Sequence, residues 1–395
     1  MSRVPSFKNI KKIAVRQRLE RRHFIYGSVL VVIIAAGSVF LIHLGPYKPS
    51  LAANAHQVEY VRAKILGVMD DPSTSAGQVV QVKLLDGQKK GQKIIVDRTY
   101  LLGDTNSKRL PVGSQVLLTI DPKNGNQYSY LDRYRIPGAL TLFLVLLALV
   151  LVIGRWRGFM SMVGLILSIG VLSIFILPRI IAGQAAFATC IEGAFIIATT
   201  TIYVAHGFNK RTTIALASTL LTLVLIVGLV VTIVYMTGVS GNPGDAVNAD
   251  EQTTYIQYAP HHIDLGGLLM GGMVIASLGV LEDITTSQVA AVAEIYKANP
   301  KQTYSQLYHR GISVGHEHIA ALINTLVLVY FGVALPTIVL TVLYNSGPLL
   351  VMLNNEPIME AIARAGATSI SLLLAVPLST ALAVYMVPKW SIVDR

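Results

Sequence analysis

Pro137-Gly-Ala-Leu-Thr-Leu-Phe-Leu-Val-Leu-Leu-Ala-Leu-Val-Leu-Val-Ile153 contains no charged side chain and one hydroxyl. An α-helix rises about 1.5 Å per residue, so about 17–25 apolar residues cross a hydrocarbon core. A run this long and this uniform has no polar face to turn toward water, and it reads as a transmembrane helix.

The same texture repeats downstream. Apolar runs extend from Gly158 to Leu177, Ala185 to Ala205, Thr212 to Thr237, Asp264 through Val280, Ile319 to Leu343 and Ala361 to Val387. The last two carry Pro336 and Pro377, which membrane helices tolerate because neighbouring helices satisfy the freed backbone groups. Upstream lies one further run, Phe24 to Leu44, behind a basic segment holding Arg3, Lys8, Lys11, Lys12, Arg16, Arg18, Arg21 and Arg22. A cleaved signal peptide has a shorter apolar core, about 7–15 residues, with small residues close behind it. The run here is longer and the small residues, near Ala53 and Ala55, lie too far on. It is read as an uncleaved anchor. Charged residues are 13% of the chain, about half the usual share for a soluble domain. The expected fold is therefore an all-α polytopic membrane bundle of about eight transmembrane helices.

Residues 56–135 differ. Short β-prone runs (Val58 to Leu66, Gln78 to Leu85, Lys93 to Val96, Gln115 to Ile120) are separated by Asp86-Gly87, Pro111-Val-Gly113 and Asn124-Gly125. These dipeptides are strong turn signals. About five strands in this length suggest a small β domain, expected to be an OB-like barrel. Tyr128, Tyr130 and Tyr134 cluster at its end, where Tyr suits a membrane interface. The organisation expected is a basic cytoplasmic N-terminus over 1–23, an anchor over 24–44, an extracytoplasmic β domain over 56–135 and a seven-helix membrane domain over 137–395.

Basic residues mark the cytoplasmic side of membrane helices. With the N-terminus inside, inner loops receive Arg155, Arg157, Lys210, Arg211, Lys297, Lys301, Arg310 and Lys389. The stretches from Gly238 to His262 and from Asn345 to Glu360 hold no Lys or Arg and fall outside. This alternation favours eight spans, both termini cytoplasmic, in a cell membrane. It also accounts for the net charge of +11, so no nucleic-acid partner is inferred. The expected partners are the lipid bilayer and a homo-oligomer or other membrane protein. Cys190 is the only cysteine, which excludes an intrachain disulfide, and its place inside a span makes it a small buried apolar residue.

Three motifs resemble the YibE/F family of bacterial membrane proteins. They are Gly279-Val-Leu-Glu-Asp-Ile-Thr-Thr-Ser-Gln288, Ala298-Asn-Pro300, and Gly315-His-Glu-His-Ile-Ala-Ala-Leu-Ile-Asn-Thr-Leu-Val-Leu328. Asp264-Leu-Gly-Gly-Leu-Leu269, Arg157-Gly158 and Val376-Pro-Leu-Ser-Thr380 agree with it. The likeness covers most of the chain from about Arg155 and is loose over the β domain. Gly267 departs from it, standing where relatives carry a basic residue. The resemblance implies a multi-span bacterial membrane protein and no particular reaction.

Ionisable groups inside a bilayer are costly and tend to be functional. Glu192 lies within the fourth span, where a carboxyl is protonated, paired or open to a water-filled cavity. Glu282, Asp283, Thr285, Thr286, Ser287 and Gln288 form the densest polar cluster, at the end of the sixth span. Asp283, Thr286, Ser287 and Glu294 share one helix face. The sixth span is rich in small residues, among them Gly266, Gly267, Gly271, Gly272 and Ala276, which let helices approach closely. His316, Glu317 and His318 precede the seventh span at the same membrane face as Asp283, which leaves an approach to it open. Their spacing is not the His-Glu-x-x-His zinc pattern, and no metal or cofactor is assigned. His261 and His262 beside Asp264 read as a wet interface. Asn324 lies within the seventh span, where Asn bonds across helices. Glu360 and Arg364 are spaced i, i+4 as a structural ion pair.

No phosphate-binding loop, nucleophile elbow or dinucleotide fingerprint is found, so an enzyme is not expected. Two function classes stay open. One is transport or permeation of a small solute or ion along a path of intramembrane carboxylates and polar groups. The other is a non-catalytic assembly or regulatory protein whose outer β domain binds a partner.

Overall fold

The computed structural model describes residues 59–70, 78–87, 89–98, 110–121, 127–241, 263–344 and 348–393. The basic N-terminus, the anchor over 24–44 and His261 and His262 lie outside the described residues. The described residues divide into two compact units, 59–153 and 154–393.

The first unit opens with five antiparallel strands: β1 (Glu59–Asp70), β2 (Gln78–Leu84), β3 (Lys93–Arg98), β4 (Gln115–Asp121) and β5 (Gln127–Arg133). Their order in the sheet is β3-β2-β1-β4-β5. The long β1 pairs with both β2 and β4, with a register shift between Ile65 and Gly67. Such a shift bends a strand, and β3 and β5 approach each other as the sheet curls into a half-barrel. Alternate residues point inward, so Val61, Ala63 and Ile65 meet Val80, Val82, Leu84, Val116 and Leu118 in one buried core. Tyr128 and Tyr130 sit on the inner side of β5 and pack against this core. Those two rings therefore serve the β core; alternation along Gln127–Arg133 makes β5 a fifth strand in a stretch read as an interfacial cluster. Arg62 holds Asp86 with a 3.0 Å hydrogen bond from Nη2. That bond and the attached charge hold the Asp86 carboxyl below its usual range and raise the Arg62 guanidinium.

Seven described helices are long and apolar enough to cross a membrane. They are α1 (Ile136–Trp156), α2 (Gly158–Ile181), α3 (Ala186–His206), α4 (Lys210–Thr237), α5 (Leu265–Ala298), α6 (Tyr304–Tyr344) and, after the short α7 (Leu349–Leu353), α8 (Glu356–Val393). Between α1 and α2 the backbone breaks at Arg155, whose φ of 49° lies in the left-handed region, an uncommon conformation for a non-glycine residue. Val171–Ile176 of α2 forms a π-helical turn.

In the second unit α5 is central and packs against α3, α4, α6 and α8. Its shared core includes Met273, Val274, Leu278, Leu281 and Ile284 with Ala198, Leu223, Ala367 and Val376. The small residues of α5 permit the approach to α3. A Cβ on Gly271 would stand 2.5 Å from Cys190 Sγ, and Cys190 is buried there.

The helices start and stop on local chemistry. Asn209 caps α4 by accepting from Thr212 N at 3.0 Å, and Asp264 caps α5 by accepting from Gly267 N at 2.9 Å. Gly238, with φ 67°, ends α4. Thr303 and Gln306 form a reciprocal capping box at the start of α6. Two helices overrun the apolar runs. The sixth apolar run passes through Val280, yet α5 continues to Ala298; the seventh apolar run starts at Ile319, yet α6 begins at Tyr304. Beyond the apolar zone they are held by a second core of Val289, Val292, Ala293, Leu307, Ala383, Val384 and Val387.

Candidate functional site

The polar cluster of α5 divides by helix angle into three environments. Thr285 and Gln288 turn into the bundle and are fully buried. Thr285 and Thr219 of α4 share a hydroxyl contact of 2.6 Å. Gln288 Nε2 donates to Gly311 O of α6 at 2.7 Å and to Thr380 Oγ1 of α8 at 2.8 Å. One amide thus ties three helices. Gly315 makes room for it, since a Cβ there would stand 3.2 Å from Gln288 Oε1.

Glu282 faces α3 and accepts a 2.7 Å hydrogen bond from Thr201 Oγ1. Asp283 faces outward with Thr286 into a cavity of about 510 Å³. The cavity lies where α3 ends and α4 begins, and its other walls include Trp156, Ser161, His206, Asn209, Arg211 and Thr212. His206, at the end of α3, lines the same cavity as Asp283. Further along the same face Glu294 accepts from Arg211 and from Lys297, each at 2.9 Å. The face of Asp283, Thr286 and Glu294 is therefore a real surface of α5, and Ser287 beside it is exposed.

His316, Glu317 and His318 do not join Asp283. They are exposed on α6, and none lines the cavity. The residue that shares the cavity with Asp283 is instead His206, at the end of α3. Among the described residues no three His, Cys, Asp or Glu side chains gather as a metal ion would require.

Glu192 stands apart from this site. Arg179 Nη1 donates to Glu192 Oε2 at 2.8 Å, and the Arg179 guanidinium lies 4.0 Å from the centre of the Phe175 ring. Of the three states open to an intramembrane carboxyl, this one is paired. Gly193 is close beside it: a Cβ there would collide with Ile176 of the π-helical turn. Polar contacts of the same kind lie at this same end of the bundle, away from the cavity. Arg364 Nη2 donates to Glu360 Oε2 at 2.9 Å, and Glu356 accepts from Ser240 N and Oγ, both at 2.6 Å. Asn324 is exposed on α6 and does not reach the cavity.

His206, Thr201 and Trp156 were not identified from the sequence. His206 is a lone histidine before Gly207, 77 positions from Asp283; only the packing of α3 on α5 brings it there. Thr201 resembles every other hydroxyl in α3 until its contact with Glu282 is seen.

No curated protein and no solved structure matches the chain. A family profile described as YibE/F-like protein matches residues 142–389. That stretch is well over half the chain and takes in every residue of the site just described. The chain belongs to the YibE/F-like protein family.

Proposed function

We propose that this protein moves a small solute or ion across a bacterial cell membrane, with the Asp283 cavity as its inner vestibule. In this reading the chain crosses eight times, the eighth crossing being the run over 24–44. Both termini are cytoplasmic and the β domain is outside. The β domain is an OB-like barrel: the order β1-β2-β3, with β5 and β4 returning to β1, is the one such barrels use when β3 and β5 close.

The observation that carries the reading is the cavity itself. A carboxylate, an imidazole and hydroxyls converge on a space of about 510 Å³ at the end of the bundle, where pockets with a few convergent polar groups are default binding sites. Directly behind it, Glu282 and Thr201 place a second carboxyl deeper between α3 and α5. Deeper still come Leu278 and Leu281, both buried, which in this reading close the path in the present state.

Single-cysteine variants test the vestibule. Thr286→Cys and Ser161→Cys should react with a membrane-impermeant maleimide added from the cytoplasmic side, and Ser277→Cys should not. Equal labelling of all three, or protection of Thr286→Cys, would remove the vestibule.

A second reading makes the outer β domain a docking module. It is favoured by the exposed Tyr60, Met69, Ile95 and Val112 on that domain. Loss of a specific co-purifying protein on deleting residues 56–135, with flux unaffected, would favour it.

A further inference from the structure

A carboxylate and an aromatic ring together hold a cationic side chain in two places in this chain. Arg179 donates to Glu192 at 2.8 Å, with its guanidinium 4.0 Å from the centre of the Phe175 ring. Arg62 donates to Asp86 at 3.0 Å and lies 5.5 Å from the centre of the Tyr134 ring. In each pair the carboxylate supplies full charge and the ring supplies its electronegative face.

The cavity at the end of α3 is lined by the same two kinds of group, Asp283 and Trp156. Among the described residues no hydrogen bond reaches the Asp283 carboxylate. Arg211, a basic residue on the same wall, is spent elsewhere, on Glu294 at 2.9 Å. Trp156 is exposed, and its ring centre lies 5.5 Å from that of Phe159. Its indole therefore offers ring surface that the bundle core does not cover.

Size and texture decide which cation suits this lining. A volume of about 510 Å³ falls within the range of about 300–1,000 Å³ that holds small organic molecules. A water takes up about 30 Å³, so a metal ion with one or two waters fills a small part of it. Among the described residues no three His, Cys, Asp or Glu side chains gather to ligate a metal ion. Met160, Val204, Ala215 and Ala290 supply apolar wall, which favours a hydrocarbon body over a hydrated ion. An anionic solute would meet the Asp283 carboxylate.

We propose that the Asp283 cavity takes an organic cation, a small molecule with one ammonium group and a flat apolar body. The ammonium group pairs with Asp283, and the body lies against Trp156 and the apolar wall. The inference rests on the vestibule reading above and names the class of solute that enters it. Binding is measured without flux, so it stands or falls separately from transport.

The chain has two tryptophans, Trp156 and Trp390, so Trp390→Phe leaves Trp156 as the only indole and makes its fluorescence a reporter of the cavity. The full chain carrying this change is titrated in detergent micelles at about pH 8, above the ordinary histidine range, at constant ionic strength. Phenethylamine changes the signal saturably and binds about tenfold or more tighter than 2-phenylethanol, which has the same body without the charge. 3-Phenylpropionate, of opposite charge, binds no better than the alcohol, and sodium and potassium do not displace the amine. Asp283→Asn removes the amine's advantage over the alcohol, and Asp283→Glu keeps part of it. With Trp390 restored, Trp156→Leu weakens binding of radiolabelled phenethylamine in equilibrium dialysis about threefold or more. The inference is overturned if amine and alcohol bind alike, if sodium displaces the amine, or if Asp283→Asn leaves the preference unchanged. Should maleimide label Thr286→Cys and Ser161→Cys while the amine does not bind, the vestibule survives and the organic cation falls.

Discussion

Gly271→Ala probes the close approach of α3 and α5 on which the whole site depends. The added Cβ would stand 2.5 Å from Cys190 Sγ and 2.6 Å from Cys190 Cβ. Comfortable carbon contacts lie at about 3.5–4.0 Å, so the two helices must part by about 1 Å or Cys190 must leave its buried site. Overpacking of this kind costs about 1–3 kcal/mol. Against it stands the better helix propensity of Ala, about 1 kcal/mol. The single variant alone is therefore a poor test, since the two effects partly cancel. A double-mutant cycle with Cys190→Gly removes the ambiguity, because the propensity gain at position 271 appears in both backgrounds. With Gly at 190 the new methyl occupies the volume that Cys190 vacates. The coupling should amount to about 1–3 kcal/mol in favour of the double variant. Reversible unfolding in mixed micelles, followed by far-ultraviolet circular dichroism, measures it. Additivity within about 0.5 kcal/mol would refute the argument that this glycine exists to admit the cysteine.

Other outcomes follow from the same geometry. Gln288→Leu removes the ties to Gly311 and Thr380 and should cost about 1–3 kcal/mol in the same assay, with Thr380→Val costing less. Arg364→Ala strands the Glu360 carboxyl, whose side chain is 14% exposed; it should destabilise more than the paired replacement Glu360→Leu with Arg364→Met. In the β domain the Asp86 carboxyl titrates below its unfolded value. Its contribution to stability is therefore present above the unfolded pKa of about 3.9 and is lost as pH falls through the lower folded value. Amide-exchange protection of the β strands should weaken over that acid range, and Asp86→Asn should flatten this dependence.

The apolar runs made the spans legible because hydropathy reports directly on the hydrocarbon zone. It does not report where a helix ends. α5 and α6 run on past that zone because Val289, Val292, Ala293 and Leu307 find partners in α8, a tertiary fact. The Thr303-Tyr-Ser-Gln306 capping box was visible in the sequence and marks the true start of α6. The strand Gln127–Arg133 was likewise legible in its alternation, hidden by the tyrosines it carries. For the site, residue spacing placed Asp283, Thr286, Ser287 and Glu294 on one face of α5, and all four are exposed or half-buried there. What stands opposite it was beyond such reasoning. Charge and membrane side alone brought His316 and His318 to Asp283, but both lie on an exposed face of α6, and the turn from α3 to α4 delivers His206 instead.

The central claim is that the carboxylates of α5 serve a path through the bundle. It is tested most directly by flux into proteoliposomes loaded with ion-sensitive dyes and challenged with gradients of protons, sodium, potassium or small radiolabelled organic solutes. The account predicts that the unaltered chain moves at least one of these, and that Asp283→Asn and Glu282→Gln each slow it about tenfold or more while insertion and unfolding behaviour are kept. Flux in both variants equal to that of the unaltered chain would contradict it.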